Sequence, residues 1–426
     1  MLNKFKQALQ IKDIRKKLVF TFLMIIVFRM GTTIPVPGID TSIIKNMVAN
    51  NSLLGLYNMF SGGAFSNFTI FALGIGPYIT ASIIIQLLTA GFESLKELQK
   101  SGEEGKKKIN KYTRFTALGL AVIQAIGITL GIVRRALKVN SPFFIFTVII
   151  TLVAASMMVM WLGDRITEKG LGNGSSVLIF VGIISRTPID IIAISQKTSQ
   201  GIIKWPAIAV LVVVILITIT GVTFINESTR KIPVQYAKRV VGRKMYGGDS
   251  SHIPMKVNQS GVMPIIFASS ILALPQTVAL LGGPKMQAIV NNLFNMSTDR
   301  GFWTYRSIEI VLIVLFSYFY NTISFNTEDI AKNMKNSGGF IPGIRPGNPT
   351  ETYLNGILSK LTIVGAAFLG IMAMVPALIT HYMQIPMNLG GTSLLIVVGV
   401  ALELKRQLES NLEMKNYPGF LKEFWR

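Results

Sequence analysis

Long apolar runs constrain this chain more than any other feature of its sequence. Several approach 20 residues, the length that a helix needs to cross a bilayer core of about 30 Å. They agree with a mean hydropathy of +0.51 and with a charged fraction of only 15%, against roughly 25% in soluble domains. We therefore predict an all-α polytopic membrane protein rather than a soluble globule.

Ten membrane spans are predicted from these runs. They cover residues 18–34, 74–91, 115–133, 143–162, 176–194, 205–225, 261–281, 308–325, 357–379 and 394–404. The last is short, and we expect it to begin near Gly391. Ten spans place both termini on one side, and most of the 42 Lys and Arg residues lie in segments on that side. Because short loops rich in positive charge stay in the cytoplasm, both termini are expected to be cytoplasmic.

The predicted spans divide into two groups of five, at residues 18–195 and 196–404. An odd number of spans in each group gives the two halves inverted topology. A segment at 1–17 precedes them, with apolar residues on one helical face and lysines on the other, which favours a helix on the membrane surface. A cytoplasmic tail is expected at 405–426.

Two long loops on the side of the termini are basic and rich in Gly and Pro. They lie at 226–257 and 327–356. Gly and Pro fix tight turns, so we expect protruding hairpins rather than disordered connections.

One apolar stretch, "MFSGGAFSNFTIFALGIGPYITASIIIQLL" at 59–88, is too long for a single span. Thirty helical residues would extend about 45 Å. Gly62 and Gly63 interrupt the stretch, and the residues at 74–77 interrupt it again. The pattern favours a short re-entrant or interfacial helix before the second span.

Ionisable side chains are scarce at the predicted span centres. Arg29 lies in the outer part of its span, and Glu309, Lys360 and Glu403 lie close to span ends. Ion-coupled transporters usually carry an ionisable group near the membrane centre, so this pattern weakens a transporter interpretation. Broken helices with bare backbone can still bind Na⁺, and a solute transporter therefore stays open as an alternative.

An enzyme is a more distant alternative. The chain has no cysteine, and its two histidines, His252 and His381, are far apart in the sequence; we predict no metal site, no cofactor and no catalytic centre. "GLGNGSS" at 170–176 lacks the strand and lysine of a phosphate loop, so a helix stop followed by a Ser N-cap is favoured. "GEEGKKK" at 102–108 favours a solvated basic run over a nucleic-acid site.

Several motifs together resemble the SecY family, the main subunits of the bacterial protein-conducting channel. They are the stretch at 59–88, "GLGNGSSVLIFVGII", "QYAKR", "SHIPMKVNQSGVMPIIFASSI", "SGGFIPGIRPG" and "GGTSLLIVVGVALE", and they are spread over essentially the whole chain. The resemblance implies ten helices in two pseudo-symmetric five-helix halves around a central hourglass pore, with a short plug helix. It also implies translocation of unfolded preproteins across the cytoplasmic membrane and lateral release of apolar segments into lipid.

By this resemblance the segment 57–68 is the plug, a short helix folded back into the outer funnel. The residues alone leave an interfacial helix without a gating role as the alternative. The plug residues singled out are Tyr57, Met59, Phe60, Ser61, Gly62, Gly63, Phe65 and Phe68.

The resemblance also assigns a ring of aliphatic side chains at the waist of the pore. Its members are Ile79, Ile83, Ile179, Ile266 and Ile396. A hydrophobic constriction excludes ions by dewetting, whereas ordinary helix packing is the alternative for any one isoleucine. Some family members carry an aliphatic residue where this chain has Ser175, so the ring is expected to be five-membered or more polar at one edge.

The second and seventh spans resemble the lateral gate, with Gln86, Ser269 and Ser270 as candidate contacts. The two long loops resemble docking sites for the SecA motor and the ribosome, with Arg345 on one tip and Arg243 and Lys244 on the other. Plain solvated charge is the alternative for these cations. Further partners implied are the small subunits SecE and SecG, signal sequences and preproteins, and anionic lipid.

Overall fold

A computed structural model describes residues 10–50, 54–55, 58, 61–137, 141–236, 239–241, 244–246, 250–296, 298–383, 385 and 391–416. Helices dominate it. In the first half they are α1 (Lys12–Gly31), α2 (Thr41–Asn50), α3 (Gly76–Gly91), α4 (Glu93–Lys100), α5 (Glu103–Gly131), α6 (Pro142–Lys169) and α7 (Gly174–Ser199). In the second half they are α8 (Trp205–Glu227), α9 (Met263–Leu281), α10 (Gly283–Phe294), α11 (Asp299–Ser324), α12 (Thr327–Asn336), α13 (Asn348–Tyr382) and α14 (Gly391–Asn416).

Each of the ten predicted spans coincides with a helix. Within the described residues, six helical segments are long and apolar enough to cross a membrane, and the pair α3 and α4, bent by 101°, raises this number to seven. The remaining three are α9, whose apolar stretch is shorter, and α1 and α14, which carry several charges. The last helix begins at Gly391 as expected, and it continues well beyond residue 404.

Both ends of the described chain lie on the same side. Ile14 of α1 packs with Leu412 of α14 in one small apolar cluster. We call this side the inner side and the opposite one the outer side.

Helix starts follow from local sequence. Proline stands at the first turn of α3, α6, α8, α9 and α13, where its fixed φ suits the helix and its missing N–H costs nothing. At α7, the side-chain oxygen of Asn173 accepts hydrogen bonds from the backbone N–H groups of Ser175 and Ser176, at 3.1 and 3.3 Å. "GLGNGSS" is therefore a helix start as predicted, but Asn173 caps it instead of a serine.

The two halves meet along a continuous apolar core. Within the halves, α3 packs on α5 and α9 packs on α11; between them, α9 contacts α3 and α5, and α14 contacts α7. The largest buried cluster draws residues from both halves, among them Phe28, Val177, Ile265 and Leu395. Apolar side chains on the outside of α8, such as Val213 and Leu216, remain exposed, as expected for a helix that faces lipid.

The two long inner loops form one folded body. The first is a hairpin of β1 (Thr229–Tyr236) and β4 (Ser250–Lys256), with a smaller hairpin of β2 (Arg239–Val241) and β3 (Lys244–Tyr246) at its tip. The second contains α12 and a short strand, β5 (Gly339–Phe340), which pairs with β1 to give the order β4-β1-β5. The predicted loop at 327–356 is thus partly helical, because α12 occupies its start and α13 begins at Asn348.

The segment before α3 folds back into the outer side. Helical residues are described at Leu54, Gly55 and Asn58, and turns follow from 61 to 75. Two backbone hydrogen bonds tie it to the residues after α1, from Val36 N to Phe68 O and from Ile70 N to Ile34 O, each 3.0 Å. The broken apolar stretch is therefore re-entrant, and its described part from 61 to 68 is a series of turns.

We expect Asn173→Ala to lower the free energy of unfolding by about 1 kcal/mol, because two N–H groups at the start of α7 lose their acceptor. Asn173→Asp keeps that oxygen and serves as the control. Heat-induced loss of the monodisperse peak in detergent is the measurement. Equal behaviour of the two variants would contradict the capping role.

Candidate functional site

The five isoleucines that the resemblance assigns to the pore ring come together in one buried cluster. They stand on four helices, α3, α7, α9 and α14, and each is at most 4% exposed. Ile79 and Ile83 are one turn apart on α3 and face the same way. The ring candidates thus belong to the apolar core that the two halves share.

Ser175 does not bring a free hydroxyl to this contact. Its Oγ donates a hydrogen bond of 2.6 Å to Oδ1 of Asn173, the residue that caps α7. The hydroxyl is therefore satisfied within the helix cap, one turn before Ile179. Ser175 adds no unpaired polar group beside the five isoleucines.

The plug candidate lies just outward of the ring. An added Cβ on Gly62 would lie 2.9 Å from Cα of Gly182, which follows Ile179 by one helical turn. Gly62 and Gly63 have φ values of +64° and +90°, a region that side chains other than glycine rarely adopt. This backbone geometry lets the tip of the segment touch α7.

Polar groups of the plug candidate mostly satisfy one another. The side-chain oxygen of Asn58 accepts from Ser66 N at 2.9 Å, and its backbone oxygen accepts from Gly63 N at 2.8 Å. Ser61 Oγ accepts from Phe65 N at 3.0 Å. Because these turns carry their own hydrogen bonds, the segment can move without exposing many unpaired groups.

Aromatic residues anchor the outer part of the plug candidate. Phe65 and Phe68 are fully buried in a second apolar cluster, with their ring centroids 6.5 Å apart. Tyr57, Met59 and Phe60 lie outside the described residues.

Two of the lateral-gate candidates, Ser269 and Ser270, lie on α9, the helix that packs against α3 and α5. Ser270 Oγ donates to the backbone oxygen of Ile266 at 2.8 Å, whereas Ser269 Oγ is buried and has no partner among the described residues. Gln124 on α5 also has a buried side-chain oxygen without a described partner. Gln124 was not among the predicted site residues, although an amide inside an apolar span is a sequence signal for a functional position.

A polar cleft of about 560 Å³ opens on the inner side between the halves. Gln86 lines it and donates to Ser82 Oγ at 3.0 Å. The opposite wall, from α11 and α13, holds Asn321 and Thr362, which are hydrogen-bonded to each other. Gln86 therefore lines this cleft, and Ser269 and Ser270 are not among its lining residues.

Arg345 stands exposed on a rigid loop. Gly343 and Gly347 on either side have φ values of +82° and +102°, and the hydroxyl of Thr350 donates to the backbone oxygen of Arg345 at 2.8 Å. Ile341 anchors the loop in the apolar cluster beneath the three-stranded sheet. The guanidinium is thus presented to solvent from a fixed base. Lys244 begins β3, but its side chain and all of Arg243 lie outside the described residues.

The base of the first hairpin is fastened to α14. Lys405 Nζ donates to Oε1 of Glu227 at 2.6 Å, and Arg406 donates to the backbone oxygen of Asn226. Burial lowers the pKa of Lys256 at the end of β4, and Arg406 lowers it further. Since α14 also carries Ile396, one helix connects the inner sheet with the ring.

Charged residues elsewhere give no sign of a metal centre. No group of three or more His, Asp or Glu side chains that could hold a metal ion occurs in the part of the chain that the structure describes. His381 pairs with Asp299 at 2.9 Å and stacks on Phe302, with ring centroids 4.1 Å apart. These contacts join α13 to α11 at the outer side.

Residues 69–405 of the chain match the family model for SecY. Two curated relatives are each a protein translocase subunit SecY. The one from Streptomyces scabiei is 43% identical over 444 residues, which cover 99% of this chain and 100% of the relative. The one from Thermotoga maritima is 42% identical over 437 residues, which cover 99% and 98%.

Three solved structures share the fold, each covering 93% of this chain and 92% of the other. A protein conducting channel gives a TM-score of 0.69 at 20% identity. A SecY protein, whose plug domain is described as stabilizing the closed state and maintaining a membrane seal, gives 0.68 at 19%. Sec61 in a canine ribosome-channel complex from the endoplasmic reticulum gives 0.66 at 18%.

We expect Ser269→Ala to raise the free energy of unfolding by about 1 kcal/mol, because it removes a buried hydroxyl that has no described partner. Ser270→Ala is the matched control, since it removes a hydroxyl that is already bonded and should be neutral or destabilising. Thermal stability in detergent compares the two. A loss of stability in Ser269→Ala equal to that of the control would contradict the assignment.

Proposed function

The chain belongs to the SecY family and is a protein-conducting channel, and from this premise we propose how it seals, where its substrates leave and what docks on it. The gathering of five isoleucines from both halves into one buried contact, with a re-entrant segment directly outward of it, carries the proposal. The family's role is translocation, not catalysis, and its relatives do not favour a solute transporter.

We infer that the five isoleucines are the seal at the waist. An apolar constriction holds no water, so it blocks ions when closed. Isoleucine offers no fixed hydrogen bond, and a passing chain of any sequence therefore meets no specific partner. The low exposure of all five residues supports this role.

The re-entrant segment is proposed to be a second seal. It packs on α7 one turn outward of Ile179, and its polar groups are largely bonded within it. The solved SecY structure whose plug domain is described as stabilizing the closed state supports the same role for this segment.

Apolar segments are proposed to leave between α3 and α9, where the two halves meet. About 20 apolar residues at −0.3 to −0.6 kcal/mol each favour transfer from the pore into lipid, and charged residues oppose it. Ser269 on α9 and Gln124 on α5 have buried polar oxygens without a described partner. Water that reaches these oxygens when α9 parts from its neighbours would lower the cost of parting.

The inner sheet is proposed to be the docking surface for a driving partner. The ribosome complex of canine Sec61 supports a ribosome as one such partner. SecA is the other, and hydrolysis of ATP by SecA or elongation by the ribosome would supply the work. SecE and SecG are proposed as the small membrane subunits of the complex.

We place the channel in the cytoplasmic membrane with both termini in the cytoplasm. The basic surface of α4 and the start of α5 would then face the anionic inner leaflet, where each Lys or Arg contributes about 1 kcal/mol of attraction. The cations on this surface that neither line the inner cleft nor pair with an acid in the described chain are Lys106, Lys107, Lys108 and Lys111.

Asparagine at Ile396 should favour the open channel. It keeps water in the constriction and removes apolar contact, which costs the closed state about 1–2 kcal/mol. A change of this size shifts a two-state population about tenfold. We therefore expect a higher resting conductance in planar bilayers and acceptance of preproteins with weakened signal sequences.

Ile371→Asn is the control for this experiment, because Ile371 is exposed on α13, away from the buried cluster. It should affect stability but not resting conductance. Equal conductance in both variants would mean that the isoleucines are ordinary packing and that the pore lies elsewhere.

Charge reversal at Arg345 should abolish most motor-driven transport while the protein stays inserted. The guanidinium lies exposed on a rigid tip, so Arg345→Glu opposes any acidic partner at short range. Arg345→Lys should rescue only partly, because lysine lacks the planar fork. Transport of a preprotein into SecA-supplied proteoliposomes is the measurement. Arg230→Glu, on the exposed face of β1, is the control, and equal activity of the two reversals would refute a special role for the tip.

A further inference from the structure

Two arginines of the membrane-spanning helices point to the plug tip. Arg29 is near the outer end of α1, and Arg186 lies on α7, one turn beyond Gly182. Arg29 was predicted to lie in the outer part of its span, and Arg186 was not among the predicted site residues. In the structure both lie against the tip of the re-entrant segment.

Arg29 is turned toward protein. One of its terminal nitrogens donates to Ser185 Oγ at 2.8 Å and also lies 3.4 Å from the backbone oxygen of Gly62. Ser185 in turn donates to the backbone oxygen of Gly182 at 2.8 Å. One guanidinium therefore bridges α1, α7 and the plug tip. Charged groups at membrane depth are costly and commonly functional, and here the partners are visible.

Arg186 lies against Gly63, the plug-tip residue next to Gly62. An added Cβ on Gly63 would lie 3.9 Å from both Cγ and one terminal nitrogen of Arg186. Its Nε is buried and has no hydrogen-bond partner in the described part of the chain. Asp190, one helical turn further along α7, compensates the charge of Arg186. What bears on the plug is therefore the position of this side chain beside Gly63, with an Nε–H that has no described partner.

The plug tip suits such donors. Its turns use the N–H groups of Gly63, Phe65 and Ser66 internally. The carbonyl of Gly62 instead points out of the segment toward Arg29. A hydrogen bond to a backbone carbonyl depends on the position of the tip and not on any plug side chain. It therefore forms only when the tip lies against α1 and α7.

We propose that Arg29 and Arg186, with Ser185 as the residue that orients Arg29, form an arginine latch that holds the plug tip in the closed channel. The latch rests on the proposed plug role of the re-entrant segment. Arg29 ties the tip through the Gly62 carbonyl, and Arg186 supports it below Gly63. These are positioning residues, and they set how often the plug leaves without a substrate.

Accessibility of a single cysteine at position 61 tests the latch. The chain has no cysteine, and Ser61 is 1% exposed, so Ser61→Cys should react slowly with a polar maleimide added from the outer side. In the Ser61→Cys background, Arg29→Gln should raise the resting labelling rate about tenfold, which corresponds to about 1.4 kcal/mol. Ser185→Ala should raise it less, and Arg29→Lys should restore part of the protection.

Arg300→Gln is the matched control, because Arg300 is an exposed outer arginine on α11, outside the latch. It should leave labelling unchanged. An unchanged rate in Arg29→Gln and Ser185→Ala, or an equal rise in Arg300→Gln, overturns the latch. If Arg29→Gln does not fold, Ser185→Ala decides alone: a rise supports the latch and no rise overturns it.

A preprotein arrested in the channel separates this proposal from the plug itself. With the latch intact, arrest should increase labelling at position 61. If arrest has no effect, the re-entrant segment does not move during transport, and the plug role fails together with the latch. If arrest increases labelling but Arg29→Gln does not change the resting rate, only the latch fails.

Discussion

In the hydrocarbon core no water can hydrogen-bond an exposed peptide group, so irregular backbone persists there only inside protein. This constraint explains why the broken stretch before α3 has so many hydrogen bonds within itself and to its neighbours. Two backbone bonds hold it to the residues after α1, and Asn58 and Ser61 bond its turns. The motion proposed for this segment requires that it keep its hydrogen bonds, and the turns from 61 to 68 hold theirs within the segment.

The isoleucines of the proposed ring and the polar residues outside it contribute different kinds of interaction. At the ring, isoleucines contribute only non-directional contact, which forms and breaks without leaving an unpaired donor. Around it, Arg29, Ser269 and Gln124 bring polar groups whose partners are few or absent. As the proposed seal, the ring would be indifferent to the sequence that passes it, and the polar groups would set how easily the proposed closed arrangement parts.

Much of the helical architecture could be predicted from the sequence, because a run such as that of α8 is apolar on every face. The ring was assigned by resemblance alone, and its five residues do lie in one cluster. Arg186 and Asp190 were missed because the apolar residues around them in α7 outweigh two opposite charges in any hydropathy average. Asn173 was missed as a cap because two serines beside it have the same preference.

The inner loops show a different limit. The pairing of β1 with β4 joins strands that are close in the sequence, but the pairing of β1 with β5 joins residues separated by two membrane helices. The two residues of β5, Gly339 and Phe340, carry no sequence signal that identifies β1 as their partner. Such pairings depend on where α8 and α11 end, which local sequence does not state.

That short pairing has a mechanical consequence. Because β5 shares a sheet with β1, and β4 leads directly into α9, a push on the Arg345 loop cannot bend one loop by itself. The load divides among α8, α9, α11 and α13, the four helices that enter or leave the sheet. Force from the proposed partner would therefore act on the second half as a unit, and the whole half would tilt rather than any single loop yielding.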